Sequence, residues 1–319
     1  MANYVIGIDL GGTNTVIGLV DANGKILAKD DSVKTQKYKE LEDYVDVVSA
    51  VIKKLAVENS VSMDDIDGIG VGAPMGNYYS GDIENAANLP WKGRVPLGRM
   101  LTEKCGLPAK VTNDANAAAI GEMKYGAAKG MRDFIVITLG TGVGSGIVSG
   151  GNLIYGYDGL AGELGHVTAY EREGRQCGCG RIDCLETYAS ATGFVRTAKK
   201  WLVTRDDATV LRDVPMDELT SKMIYDAAIA GDAFAKELFE FTGAILGEAF
   251  CDFIAFSVPQ AIILFGGLAN AGELLLSPIR TRMNEKVVSF WKNKVEILQS
   301  SLSGADAAVL GASALGWKD

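Results

Sequence analysis

Two apolar strands, far apart in the chain, each run into a glycine-bearing turn and out again as another strand. The first is Tyr4 to Leu10, then Gly11-Gly12-Thr13-Asn14, then Thr15 to Val20. The second is Phe134 to Leu139, then Gly140-Thr141-Gly142-Val143-Gly144-Ser145-Gly146, then Ile147-Val148. Each continues as a meander. Asp21-Ala22-Asn23-Gly24-Lys25 turns the chain into Ile26 to Lys29, and Gly150-Gly151-Asn152 turns it into Leu153-Ile154-Tyr155. Two copies of one supersecondary plan predict a duplicated architecture. In such a turn glycine lets backbone N–H groups approach an anion and permits φ > 0. Thr13, Asn14 and Thr141 add side-chain donors. A dinucleotide fingerprint is disfavoured, because Ser145 stands where its third glycine belongs and a strand replaces its helix. No Gly-Lys-Ser/Thr occurs, so there is no Walker A loop.

Helices fill the space between and after these meanders. Leu41, Val45, Val48, Ile52 and Leu55 recur at helical period, predicting a helix from Leu41 to Val57. Ile66 to Val71 reads as a strand, Leu97 to Cys105 as a helix and Ala109 to Thr112 as a short strand. Asn113-Asp114 then opens an alanine-rich helix, Ala115 to Tyr125. Beyond residue 187 the pattern is mostly helical, with a long apolar helix around Phe234 to Phe256. A buried strand, Ala261 to Phe265, leads to Gly266-Gly267, and a small-residue helix, Ala305 to Trp317, ends the chain. Strands alternating with helices make this an α/β protein, and 319 residues suffice for two domains.

Composition excludes several function classes. Lys plus Arg is 31 against 40 Asp plus Glu, a formal charge of −9, which argues against binding a nucleic-acid backbone. No apolar run approaches the roughly 20 residues of a membrane helix, and Met1-Ala2-Asn3-Tyr4-Val5-Ile6 has no signal-peptide pattern. The expected setting is cytoplasmic. Gly at 39 against Pro at 7 points to tight turns and close backbone approach rather than linkers.

His166 is the single histidine, and Cys177-x-Cys179-x4-Cys184 follows it. Three thiolates and one imidazole make a closed set of the kind that holds structural zinc, with no position left for a catalytic water. Cys105 and Cys251 stand alone in apolar surroundings. Asp114, after a strand and before a helix, reads either as a helix N-cap or as a general base.

Together these segments resemble the ROK family of bacterial sugar kinases. The resemblance rests on Ile8-Asp9-Leu10-Gly11-Gly12-Thr13-Asn14, Val111-Thr112-Asn113-Asp114-Ala115-Asn116-Ala117-Ala118, and Leu139 to Gly146. It extends through Ala161-Gly162-Glu163-Leu164-Gly165-His166 and Cys177-Gly178-Cys179-Gly180-Arg181-Ile182-Asp183-Cys184-Leu185-Glu186, in family order. Asp183 departs from the glycine usual before the last cysteine, which questions the shape of that loop.

The resemblance implies a two-domain actin-like ATPase fold, of the ribonuclease H-like kind, with an interdomain cleft. A small domain would span residues 1–112 and a large one, with the metal knuckle, residues 113–304; the helix at about 305–319 would pack back on the small domain. The implied reaction moves the ATP γ-phosphoryl group to the 6-OH of glucose, with Asp114 as base. Asn88, Asn113, Asp114, Glu163, His166 and Glu186 would bind the sugar. Asp9 would help hold nucleotide-bound Mg²⁺. Gly11, Gly12, Thr13, Asn14, Gly140, Thr141, Gly142, Gly266 and Gly267 would face ATP. His166, Cys177, Cys179 and Cys184 would hold one structural Zn²⁺, the second ring nitrogen of His166 facing the sugar.

A knuckle ending in Cys-Leu-Glu resembles the glucokinase-like members, whereas fructokinase-like members carry a second histidine that this chain lacks. Mannose, N-acetylglucosamine, N-acetylmannosamine and fructose stay open as alternatives. A homo-oligomer, dimer or tetramer, is expected. The family's sugar-responsive repressors form a second class; they carry an added N-terminal DNA-binding helix-turn-helix, for which a phosphate-loop strand starting at Tyr4 leaves no room.

Overall fold

The computed structural model describes residues 3–302 and 306–318. β1 (Tyr4–Leu10), β2 (Thr15–Asp21) and β3 (Ile26–Val33) form the first antiparallel meander. Helix α1 (Leu41–Glu58) lays its predicted apolar stripe on this sheet and returns the chain to β4 (Ile66–Gly72), parallel to β1. Next comes a small hairpin, β5 (Ile83–Glu84) with β6 (Arg94–Val95), which the sequence reading did not anticipate. Helix α2 (Leu97–Cys105) and β7 (Ala109–Thr112) complete a sheet of order β3-β2-β1-β4-β7.

The second unit repeats the plan. Helix α3 (Asp114–Tyr125) leads to the meander β8 (Phe134–Leu139), β9 (Val143–Ser149) and β10 (Asn152–Leu153). A long insertion follows, holding α4 (Glu186–Ala189), α5 (Ala191–Thr204), α6 (Ser221–Ile229) and α7 (Ala233–Ser257). Then β11 (Ala261–Phe265), α8 (Glu273–Lys286) and β12 (Glu296–Gln299) give a sheet of order β10-β9-β8-β11-β12. β11 runs parallel to β8, and β12 parallel to β11, as β4 and β7 run beside β1. The larger of the hydrophobic cores lies between this sheet and the inserted helices, and a separate core lies between the first sheet, α1 and α2.

The small-residue composition at the C-terminus has a packing cause. Helix α9 (Ala307–Leu315) crosses β1 and β4 so closely that a Cβ on Gly70 would sit 1.9 Å from Ala312 O. It also crosses α3, where a Cβ on Gly121 would meet Gly311 Cα at 2.7 Å. Helix α3 packs its other side on β9, with Ala115 and Ala119 against Gly144 and Gly146. The alanine-rich α3 therefore lies between the two units, and its first residue directly follows the first sheet's last strand. Ala305 and Asp319, the ends of the expected terminal helix, lie outside the described residues. Among the described residues no helix is long and apolar enough to cross a membrane.

Candidate active site

Both glycine turns are tight hairpins. Gly11 N–H donates to Asn14 O at 3.0 Å, and Gly140 N–H donates to Gly142 O at 3.1 Å. Thr13, Asn14 and Thr141 are exposed at their tips. The reason for glycine differs from the expectation. None of Gly11, Gly12, Gly140 or Gly142 has positive φ, so a left-handed backbone is not what requires them. Close approach is. A Cβ on Gly12 would lie 2.9 Å from Asn88 O, and one on Gly142 only 2.6 Å from Glu186 Oε2. Gly140 and Gly267 differ again, since a Cβ on either meets nothing within 4 Å. Gly266 does have positive φ, +103°, and lies against Leu139 O at the end of the adjoining strand.

Gly267 opens onto a cavity of about 470 Å³ lined by Ser221, Lys222, Tyr225, Phe239 and Leu268, where α6, α7 and the segment after β11 meet. A recess of about 370 Å³ lies by Thr141 and Gly142, with Glu186, Ser190 and Arg196 on its walls. Lys222, Tyr225 and Arg196 escaped the sequence reading: single residues on amphipathic helices carry no spacing signal.

At the start of α3 the two readings of Asp114 separate. The helix is capped by Asn113, whose Oδ1 accepts from Asn116 N–H at 2.6 Å. Asp114 is one residue further in, exposed, with Oδ1 accepting from its neighbour Ala115 N–H at 2.8 Å. The capping job is taken, so this carboxylate is not spent on it. Asp9, at the end of β1, stands near enough that burial and the Asp114 charge raise its pKa to about 6. A half-buried carboxylate beside a second one is a site that a divalent cation would relieve.

Glu163 joins the group from the loop after β10. Partial desolvation pushes its carboxyl up, the His166 ring pulls it down, and Asp114 and Glu186 push it up again; Asn113 hydrogen-bonds it. His166 Nδ1 lies 3.8 Å from Glu186 Oε1 and 3.8 Å from Cys177 Sγ. Glu186, first residue of α4, reaches Cys177 Sγ at 2.9 Å with one oxygen and Val143 N–H at 3.4 Å with the other. Asp114, Asn113, Glu163, His166 and Glu186 thus form one cluster. Asn88 sits on Gly12 instead, with its backbone and side chain both against the first hairpin.

The knuckle brings its four residues together. The ligand atoms of His166, Cys177, Cys179 and Cys184 all lie within 4.8 Å of one another, and all three cysteines are free thiols. Cys179 and Cys184 sulfurs are 3.6 Å apart. Nδ1 of His166 is thus shared between the Cys177 thiol and the Glu186 carboxylate. Asp183, at the departure noted in the sequence, adopts φ +57°. Its buried carboxylate accepts from Arg175 N–H at 2.7 Å, Tyr188 OH at 2.6 Å and Gly174 N–H at 3.2 Å. Arg175, itself buried, ties this loop to Thr187 O and Thr197 Oγ1 on α4 and α5. An aspartate tolerates the left-handed backbone and here adds anchors that a glycine lacks.

Two like-built sheet units, with a glycine hairpin from each and a carboxylate at their junction, define the actin-like ATPase fold. The ROK family model matches residues 5–319, and the chain belongs to the ROK family. It is 35% identical over 316 residues to a glucokinase of Halalkalibacterium halodurans, covering 98% of this chain and 94% of that one. A crystal structure of a ROK family glucokinase from Streptomyces griseus, in complex with glucose and AMPPNP, matches with a TM-score of 0.80 and 34% identity. That match covers 98% of this chain and 99% of the other. A xylose repressor of Caldicellulosiruptor bescii is 30% identical, over 98% of this chain but 77% of the repressor.

Proposed function

We propose that the protein is an ATP-dependent glucose kinase that transfers the γ-phosphoryl group of ATP to the 6-hydroxyl of glucose. The observation that carries this reading is Asp114: an exposed carboxylate, relieved of capping by Asn113 and close enough to Glu163 for the two charges to act on each other. The glucose-bound ROK glucokinase, similar over nearly its whole length, supports the choice of sugar. Asp114 accepts the proton of the 6-hydroxyl as its oxygen bonds to the γ-phosphorus and the bond to the ADP oxygen breaks. Glu163, Glu186 and the Nε2 of His166 fix the ring hydroxyls, so positioning supplies much of the rate. The amides of both hairpins face the phosphates, and the cavity at Gly267 takes the adenosine. Magnesium, when bound, neutralises phosphate charge, and Asp9 is the residue that would hold it through water.

Zinc fits the knuckle. Zinc–sulfur bonds of about 2.3 Å set tetrahedral sulfurs about 3.8 Å apart, close to the 3.6 Å between Cys179 and Cys184. Held by His166 Nδ1 and the three thiolates, it would fix the ring's tautomer and orientation. We assign residues 1–112 and 113–304 to two domains that close on the substrates, with the terminal helix on the first. The enzyme acts in the cytoplasm as a dimer or tetramer.

A coupled ADP-release assay tests the function, with glucose, mannose, N-acetylglucosamine, N-acetylmannosamine and fructose. Glucose is expected to give the highest kcat/KM. Preference for another hexose moves the substrate and leaves the kinase standing. No turnover of any sugar overturns the reading and favours the repressor-like alternative that 30% identity to a xylose repressor raises.

A further inference from the structure

The first hairpin is held from behind by two consecutive residues. The turn Thr35–Lys37 follows β3 and puts both side chains on the carbonyls of the glycine pair. Thr35 Oγ1 donates to Gly11 O at 2.9 Å. Its hydroxyl belongs to a buried group with Thr15 at 3.1 Å, and Thr15 lies 3.0 Å from Tyr44 OH. Gln36 Nε2 donates to Gly12 O at 2.5 Å. Both glycine carbonyls are therefore bound on the outer side of the hairpin.

The Gln36 amide has a second partner. Nε2 also donates to Asn88 O at 2.9 Å. Both acceptors are carbonyls, so the nitrogen and not the oxygen of the amide faces them, and its two protons are spent one on each. Asn88 belongs to the segment between β5 and β6, whose backbone lies directly on Gly12. One side chain therefore joins a hairpin assigned to ATP phosphates with a segment assigned to the sugar. Gln36 is exposed, so its contacts add little burial, and no hydrophobic core depends on it.

We propose that Gln36 is a positioning residue that couples the two substrates of this kinase: ordering of the Asn88 segment by sugar fixes the Gly11–Gly12 hairpin for ATP, and the reverse. This rests on the glucose kinase reading above. Coupling between sites is reciprocal, so either ligand reads it.

The experiment measures the dissociation constant of AMPPNP with and without saturating glucose, for wild type, Gln36→Ala and Gln36→Glu. The wild type is expected to bind the analogue several-fold tighter with glucose. In Gln36→Ala that ratio falls to near one, and KM for ATP and for glucose rises about three- to tenfold, the range of a lost hydrogen bond. In the same variant kcat stays within about threefold, because Asp114 is untouched. Gln36→Glu keeps the length but has no donor, and it behaves at least as badly. A purely structural role would lower Tm and leave the ratio alone; that outcome, or a wild-type ratio of one, overturns the proposal. Wild type that phosphorylates no hexose sinks the function reading separately. The strut is then read from AMPPNP affinity alone, which Gln36→Ala weakens if the amide holds the hairpin and leaves unchanged if it does not.

Discussion

In the first sheet unit the glycine hairpin is held by Thr35 and Gln36, which follow directly from its own third strand. In the second, Glu186 of α4 reaches Val143 N–H, and Ala191 N–H of α5 donates to Gly140 O at 2.8 Å. Those helices belong to the long insertion after β10. The two sheets have the same order and strand directions, so the difference lies in what was inserted after the third strand: mainly α1 in one, the knuckle and four helices in the other. A second contrast sits at the strand ends. Asp9-Leu10-Gly11 in β1 corresponds to Thr138-Leu139-Gly140 in β8. Thr138 Oγ1 merely accepts from Gly144 N–H at 3.1 Å, so only the first unit offers a carboxylate there. The duplicated frame presents two hairpins, and the insertions give each a different support: Thr35 and Gln36 behind the first, Glu186 and Ala191 behind the second.

The largest expected effect falls at the junction, which belongs to neither unit's insertion. Asp114→Asn should lower kcat by about 10²–10⁴-fold, the usual cost of losing a general base, while glucose binding by calorimetry survives. A variant with near wild-type kcat would leave the junction without chemistry and put the catalytic group inside one unit.

The next prediction breaks the second unit alone. Cys179→Ser should abolish zinc, measured as metal per chain by mass spectrometry, and lower both Tm and kcat/KM for glucose, since metal binding is coupled to folding. Hydrogen exchange should rise first around residues 166–190 and leave the first sheet protected. Fully active, metal-free protein would remove zinc from the account.

The frame was legible in the sequence because its signals are local. Alternating apolar strands, turn glycines and a helical stripe from Leu41 to Leu55 each act over a few residues. The knuckle was legible because His166, Cys177, Cys179 and Cys184 are scarce types at ligand spacing, and the structure brings their donor atoms together. Less was visible where meaning comes from the partner. Gln36 is one glutamine among polar residues until Gly12 O and Asn88 O stand beside it. The same holds for Tyr225 and Lys222, which become a cavity wall only through packing of α6 on α7. The positive φ expected of the hairpin glycines is not found at Gly11, Gly12, Gly140 or Gly142, and the close approach of Asn88 to Gly12 and of Glu186 to Gly142 comes from residues distant in sequence. Asp114 read on paper as either cap or base; the hydrogen bond from Asn116 N–H to Asn113 Oδ1 gives the cap to Asn113.

The smallest effect concerns the carboxylate that only the first unit carries. Asp9 titrates at about 6 in the folded chain, raised from an ordinary 3.8 first by burial and then by Asp114. Between those two values the folded state holds a proton that the unfolded state has released. Linkage then makes stability fall as pH rises through that window, and the penalty is complete above about pH 6. Asp9→Asn removes the charge while keeping nearly the same shape. Without ligands it should therefore have a higher Tm than wild type at pH 7.5, and the gap should shrink as pH is lowered toward 4. Activity should move the opposite way, with a raised KM for MgATP, because the penalty is what a bound cation relieves. Adding MgATP should correspondingly stabilise wild type more than the variant. Thr138→Val in the second unit is the control, lacking a charge to remove and so showing no such pH dependence. An Asp9→Asn protein less stable than wild type at pH 7.5 would mean that the Asp9 carboxylate is satisfied by its surroundings, and the asymmetry between the two strand ends would lose its physical basis.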